Sequence, residues 1–145
     1  MRSKVWGALL LLGGLSLACG DSTGLTEDDL IGTWNATEFV FSDFEDPVTD
    51  FHVVPGGGSV TMVIRADGTF TITITLGGLP PDVVNGTWEL QGGDVLVITE
   101  DGEVDDLALE IELSGTTLTV YSDDVDFDFG DGEIPAQLDA TFVKQ

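Results

Sequence analysis

Basic residues are scarce: the chain of 145 residues holds four Lys and Arg against 27 Asp and Glu, a formal net charge of −23. Such a surface repels nucleic-acid phosphates and anionic lipid head groups, so no nucleic-acid partner is expected. Cationic partners, divalent metals and a salty medium stay compatible with it, and a solvated surface adapted to high salt is the plainest account. Cysteine is scarcer still. Cys19 stands alone, which rules out an intramolecular disulfide. His52 is the single histidine; nothing places a base and an orienting acid beside a nucleophile, and acids this abundant make any glycosidase-like pair uninformative. No enzyme activity, no catalytic residue and no cofactor are therefore expected, and His52 reads as a surface residue. Helical periodicity is missing apart from one cap-like turn, Thr26-Glu27-Asp28-Asp29. The apolar run Val5 to Leu17 falls short of the roughly 20 residues a membrane-spanning helix needs.

That short run has another use. Arg2 and Lys4 precede it, and Ser16-Leu17-Ala18 follows with small residues at the positions a signal peptidase reads. The pattern predicts a signal peptide over residues 1–18. Its removal leaves only Arg65 and Lys144 to face the acids. The junction "LSLACGD" resembles the lipobox of bacterial lipoproteins, with Ser16 standing where Leu, Val or Ile is usual. The resemblance implies that Cys19 carries a diacylglyceryl group and that residues 19–29 are a lipidated tether ending in a short turn. Buried acyl chains contribute about 0.8 kcal/mol per CH₂, enough together for a stable membrane anchor. Gly20 rather than Asp after the cysteine points to the outer membrane of the cell envelope. Ordinary cleavage is the alternative, and it would leave an unpaired thiol in an oxidising compartment.

From Leu30 onward the chain alternates. In "TFTITITL", Thr69 to Leu76, the threonines face one way and Phe70, Ile72, Ile74 and Leu76 the other. "DDLALEIEL", Asp105 to Leu113, sets Leu107, Leu109, Ile111 and Leu113 opposite Asp106, Ala108, Glu110 and Glu112. Period-two patterns of this kind mark half-buried antiparallel strands. Ile31–Phe41, Ser59–Arg65, Val83–Gln91, Asp94–Thr99, Thr116–Phe129 (bent or bulged near Ser122) and Ala136–Lys144 bring the expected strands to eight.

Their connections alternate as well. Ala66-Asp67-Gly68, Gly92-Gly93 and Ser114-Gly115 are tight, with glycine supplying the positive φ that short hairpins require. Ser42–Gly58, Gly77–Asp82, Glu100–Val104 and Gly130–Pro135 are longer. Alternate connections of a meander lie at opposite ends, so one end is closed and the other carries a rim. An eight-stranded antiparallel up-and-down meander removes its edges by rolling into a β-barrel, which places the chain in the all-β class. "LIGTWNATEF", "RADGTFTI", "NGTWEL" and "GGDVLVI" resemble bacterial lipocalin-like domains of the calycin superfamily, over residues 30 to 144; the barrel domain is taken as residues 30–145. The resemblance implies that Trp34 sits at the closed end, with Lys144 near the position where an Arg usually packs on it. The Thr-Asp-Tyr loop motif of lipocalins is missing.

The triplet Gly-Thr-Trp occurs twice, at residues 32–34 and 86–88. Gly32 and Gly86 are read as permitting a bend and a close backbone approach beside an inward Trp, Trp34 closing the base and Trp88 filling the wall. An internal duplication is the rival account. The inward set is apolar throughout, and a barrel of this size holds either packed side chains or one small ligand. Both remain open: a lipid-anchored carrier of a hydrophobic molecule, or an interaction module with a solid core and an acidic rim. Candidate ligand-lining residues are Met62, Phe70, Ile72, Trp88, Leu109 and Phe142, with Phe44 and Phe51 as a candidate lid. Expected partners are the membrane, through the lipid, and a hydrophobic small molecule; the protein itself is expected to be a monomer. The run "DDVDFDFGDGE" carries Asp124, Asp126, Asp128 and Asp131, oxygens that calcium favours. Phe129 occupies the place where an EF-hand needs Gly, so a strand with a solvated acidic face is the plainer account.

Overall fold

The alternating segments pair with their neighbours in chain order. The computed structural model describes residues 24–44, 50–128 and 132–145; Cys19 and Asp131 lie outside them. A one-turn helix α1 (Glu27–Leu30) leads into β1 (Gly32–Asp43), β2 (Phe51–His52), β3 (Ser59–Ile64), β4 (Thr69–Thr75), β5 (Asp82–Gln91), β6 (Val95–Glu100), β7 (Leu107–Ser114), β8 (Thr117–Asp128) and β9 (Glu133–Lys144). All pairings are antiparallel, and β1 bonds β9 as well as β3. Eight strands therefore close into a barrel. No helix of the described residues is long and apolar enough to cross a membrane.

β1 closes the barrel by changing partners. Its first residues, Gly32 to Asn35, pair with β3, and the ladder to β9 shifts register between Ala36 and Glu38. Beyond that bulge β3 is no longer the neighbour. The short strand β2 takes the vacated edge, with Val40 opposite His52 and Phe41 opposite Phe51. The first long connection is thus not all loop; it supplies a ninth strand. Val53 N–H donates to the Phe39 carbonyl at 2.9 Å, and Val53 is buried.

The tight turns gather at one end. Asp67 accepts from the Thr69 N–H at 3.0 Å and the Thr69 hydroxyl at 2.6 Å. Those bonds pin the hairpin and hold the Asp67 carboxyl below its ordinary value. The wall behind it depends on Gly86. A Cβ there would lie 2.0 Å from the Thr99 carbonyl oxygen and 2.8 Å from the Phe70 ring. Phe70 pairs directly across from Gly86 and is 2% exposed, so the ring covers the backbone that glycine leaves bare.

At the opposite end the wall is not continuous. β7 pairs with β8 from Glu110–Tyr121 to Ser114–Thr117 and no further, although β7 stays on β6 as far as Leu107. β8 meanwhile follows β9 up to Asp128, with a register shift between Ser122 and Val125. The bend expected near Ser122 is present, and above it the two strands part. Ser122 holds the base of the split: its buried hydroxyl donates to the Ala108 carbonyl at 3.2 Å and accepts from the Asp124 N–H at 3.3 Å. That side chain serves a β7 carbonyl that the departing strand no longer reaches.

Candidate functional site

The two ends of the barrel do different things. At the closed end Trp34 has no exposed surface, and its indole N–H donates to the Leu30 carbonyl at 2.8 Å. Lys144 lies across the ring, its Nζ 5.2 Å from the centroid, and donates to the Asp29 carbonyl at 2.9 Å. Asp29 accepts from both the N–H and the hydroxyl of Thr26. Those bonds to Thr26, with a smaller contribution from Lys144, hold its carboxyl below the ordinary value. Gly32 lets Lys144 arrive: its φ is +146°, and a Cβ would sit 2.8 Å from the lysine Cε. The lysine therefore stands where the lipocalin resemblance implies a cation over the base tryptophan.

Trp88 also belongs to this end. Its indole N–H donates to the Arg65 carbonyl at 2.9 Å, just before the tight turn Ala66-Asp67-Gly68. Each Gly-Thr-Trp triplet thus sets a tryptophan N–H on a main-chain carbonyl near the closed end.

Above this floor lies a cavity of about 670 Å³, within the range of small-molecule pockets. Met62, Ile72, Leu109 and Phe142 line it, together with Phe39, Phe41, Val120 and Leu138. Four of the six residues expected to line a ligand are thereby brought together. Phe70 and Trp88 are not among the lining residues: Phe70 is spent on covering Gly86, and Trp88 is held down by Arg65.

Four acids also border the cavity; Asp105 and Asp106 were not anticipated as site residues, and Asp124 and Asp126 were named only as oxygens that calcium favours. Asp105 and Asp106 flank the cavity from the start of β7, and Asp124 and Asp126 from β8. Alternation alone sets Asp106 outward. Asp105 and Asp106 precede the first paired residue of β7, where alternation no longer dictates direction. Asp124 lies within the β8 register shift and Asp126 just beyond it. The signals in the sequence were the bend near Ser122 and the acidic run that follows it. Asp106 accepts from the Thr99 hydroxyl at 2.5 Å. Asp128 is used otherwise, accepting the Gly132 N–H at 3.0 Å and closing the turn into β9. Among the described residues no three His, Cys, Asp or Glu groups gather closely enough to hold a metal ion.

Aromatic rings stand beside the cavity. Phe41 stacks on Phe127 at 4.1 Å with the planes 11° apart, and Phe51 leans on Phe127 at 5.2 Å. Phe51, Val53, Ile74, Leu76 and Leu79 border a second, smaller hollow at this end. Of the two candidate lid residues, Phe51 lies against this apolar rim, whereas Phe44 is 53% exposed at the end of β1. His52 is exposed on β2.

No curated protein matches the chain significantly. The model of the lipocalin-like domain matches residues 30–120, within the strands and closed barrel described above, and the chain belongs to that lipocalin-like family.

Proposed function

We propose that this protein is a carrier or sensor for a small hydrophobic molecule, tethered to the outer membrane of a bacterial envelope by a lipid on Cys19. The cavity carries this reading. A barrel of eight strands can fill its interior with side chains, yet here about 670 Å³ among apolar residues is left open towards solvent. Apolar walls of that extent lower the free energy of a bound hydrocarbon by about 25 cal/mol for each Å² removed from water. The family is generally a binding fold rather than a catalytic one, which agrees with the lack of any nucleophile-and-base pair in the sequence. The lipobox-like stretch around Cys19 supports the tether.

Native mass spectrometry of protein purified from its own host tests the carrier reading. A retained apolar mass that is lost in Leu109→Trp, which fills the cavity, is the expected result. A bare mass, with no uptake of fluorescent hydrophobic probes by the refolded protein, would overturn it. The tether is tested separately by detergent partitioning and fatty-acid labelling of the full chain, both of which Cys19→Ala should abolish.

A further inference from the structure

We propose that the ligand is a cationic amphiphile, an apolar chain or ring system bearing an ammonium-type group, which enters through the split between β7 and β8. This rests on the carrier reading above and names the charge of what is carried. The cavity walls offer hydrocarbon, and the one buried polar side chain of the described residues, Ser122, already bonds to the Ala108 carbonyl and the Asp124 N–H. A charged group deep inside would have nothing to pair with, and an unpaired buried charge is strongly disfavoured. The polar end of any ligand therefore stays at the mouth.

The mouth decides the sign of that end. Asp105 and Asp106 stand on one lip of the split, Asp124 and Asp126 on the other. All four are exposed, and no ion pair of theirs with another described residue is present. The Asp106 carboxylate already accepts from Thr99, which leaves Asp105, Asp124 and Asp126 as the freest acceptors. A carboxylate- or phosphate-headed lipid would sit among like charges. An ammonium head would sit among opposite ones, with its chain in the cavity. The carboxylates are spread around an opening rather than focused on a point, since no three of them form a metal-sized group. That spacing suits a bulky, diffuse cation better than a bare ion.

The whole surface is acidic, so the local effect must be separated from the general one. The experiment compares dodecyltrimethylammonium, dodecanol and dodecanoate at equal low concentrations by isothermal titration into the full chain. The expected result is binding of the cation about tenfold tighter than the alcohol, about 1.4 kcal/mol. Dodecanoate should bind weakest. The combined variant Asp105→Asn, Asp124→Asn, Asp126→Asn should bring the cation to the level of the alcohol and leave the alcohol unchanged. A control, Asp28→Asn with Asp94→Asn and Glu112→Gln, removes as many charges from the closed end and the outer wall and should keep the preference.

Cation and alcohol binding equally to the unmodified protein, or dodecanoate binding best, would overturn the proposal while leaving a carrier of another ligand standing. So would a preference lost equally in both variants, because the general field would then be its cause. If none of the three probes binds, and Leu109→Trp changes nothing, the carrier reading falls and this proposal with it.

Discussion

Replacing Trp34 should show how much of the fold rests on the closed end. The side chain is fully buried, bonded through its N–H to Leu30, and covered by Lys144. Truncating a buried aromatic residue to alanine costs about 3–5 kcal/mol. For a barrel of this length each kcal/mol moves the melting temperature by roughly 3–5 °C, between the values for smaller and larger domains. Trp34→Ala should therefore melt about 9–25 °C lower, close to the limit for a domain of ordinary stability, about 5–15 kcal/mol. Trp34→Phe retains most of the apolar contact and loses the N–H, leaving the Leu30 carbonyl without that donor. A lost hydrogen bond of this kind costs about 1–2 kcal/mol, so the phenylalanine variant should fall by about 3–10 °C. Lys144→Met keeps the stem over the ring and removes both the charge and the bond to the Asp29 carbonyl, together about 1–2 kcal/mol. Circular dichroism melts of the four proteins give the ranking. A Trp34→Ala melt within about 3 °C of the unmodified protein, against the spread expected from these magnitudes, would mean that Trp34 does not close the barrel. A Trp34→Phe loss as large as that of Trp34→Ala would move the stabilisation from packing to the single hydrogen bond.

Gly86→Ala must push β5 and β6 apart or displace the Phe70 ring, because its Cβ would meet the Thr99 carbonyl; overpacking of this kind costs about 1–3 kcal/mol. Gly77→Ala, with nothing within 4 Å and no positive φ, should be neutral or stabilise by up to about 1 kcal/mol, so equal melts for the two variants would refute the close approach. Tyr121, the single tyrosine, has its phenol raised above the ordinary value of 10.0, first by desolvation and then by Asp123, Asp139 and Glu110. The folded state holds that proton more tightly, so the contribution to stability is intact below 10.0 and lost as pH rises through the folded value. Ultraviolet titration of the phenolate should give a midpoint above 10.0 that salt lowers only in part, since screening leaves desolvation untouched; a midpoint at or below the ordinary value would contradict the burial. Melting temperature should rise with sodium chloride, and millimolar calcium and magnesium at fixed high ionic strength should act alike. A saturable, calcium-only gain lost in Asp126→Asn with Asp128→Asn would instead assign a metal site to the acidic hairpin.

Strand identity was legible because period two is a local signal. Phe70, Ile72 and Ile74 announce their strand without reference to any neighbour, and the glycine turns announce the ends. Closure by β1 was legible in outline from the even meander, but not its execution: the bulge at Ala36 and Glu38 and the two-residue β2 depend on where β3 leaves the edge. The site divides along the same line. Alternation told which side chains face inward, so Met62, Ile72, Leu109 and Phe142 were found. It did not tell height along the barrel, and Phe70 and Trp88 turned out to be spent at other points of the wall and base. The mouth was the least legible part. Where a strand stops pairing with one neighbour while keeping the other is a property of two ladders at once, and no single strand records it.

The split has a physical consequence beyond access. Parting β7 from β8 leaves main-chain donors and acceptors on two strand edges without each other, and exposed edges of that kind invite pairing with other chains. Ser122 satisfies one carbonyl at the base of the split. Higher up, Asp105 and Asp106 on one side and Asp124 and Asp126 on the other surround the opening with like charge. Charged side chains on an open edge discourage a second copy from docking there, because its own acids would have to approach. On the proposal above, the same carboxylates would serve two ends through one interaction, repelling another copy of this anionic chain and attracting a cationic amphiphile. The two effects separate by concentration. Repulsion between copies governs self-association and scales with protein concentration, whereas the preference for a cationic head is fixed within one barrel. An opening in a β-barrel wall has to be guarded against its own kind, and acidic guards also bias which guests are admitted.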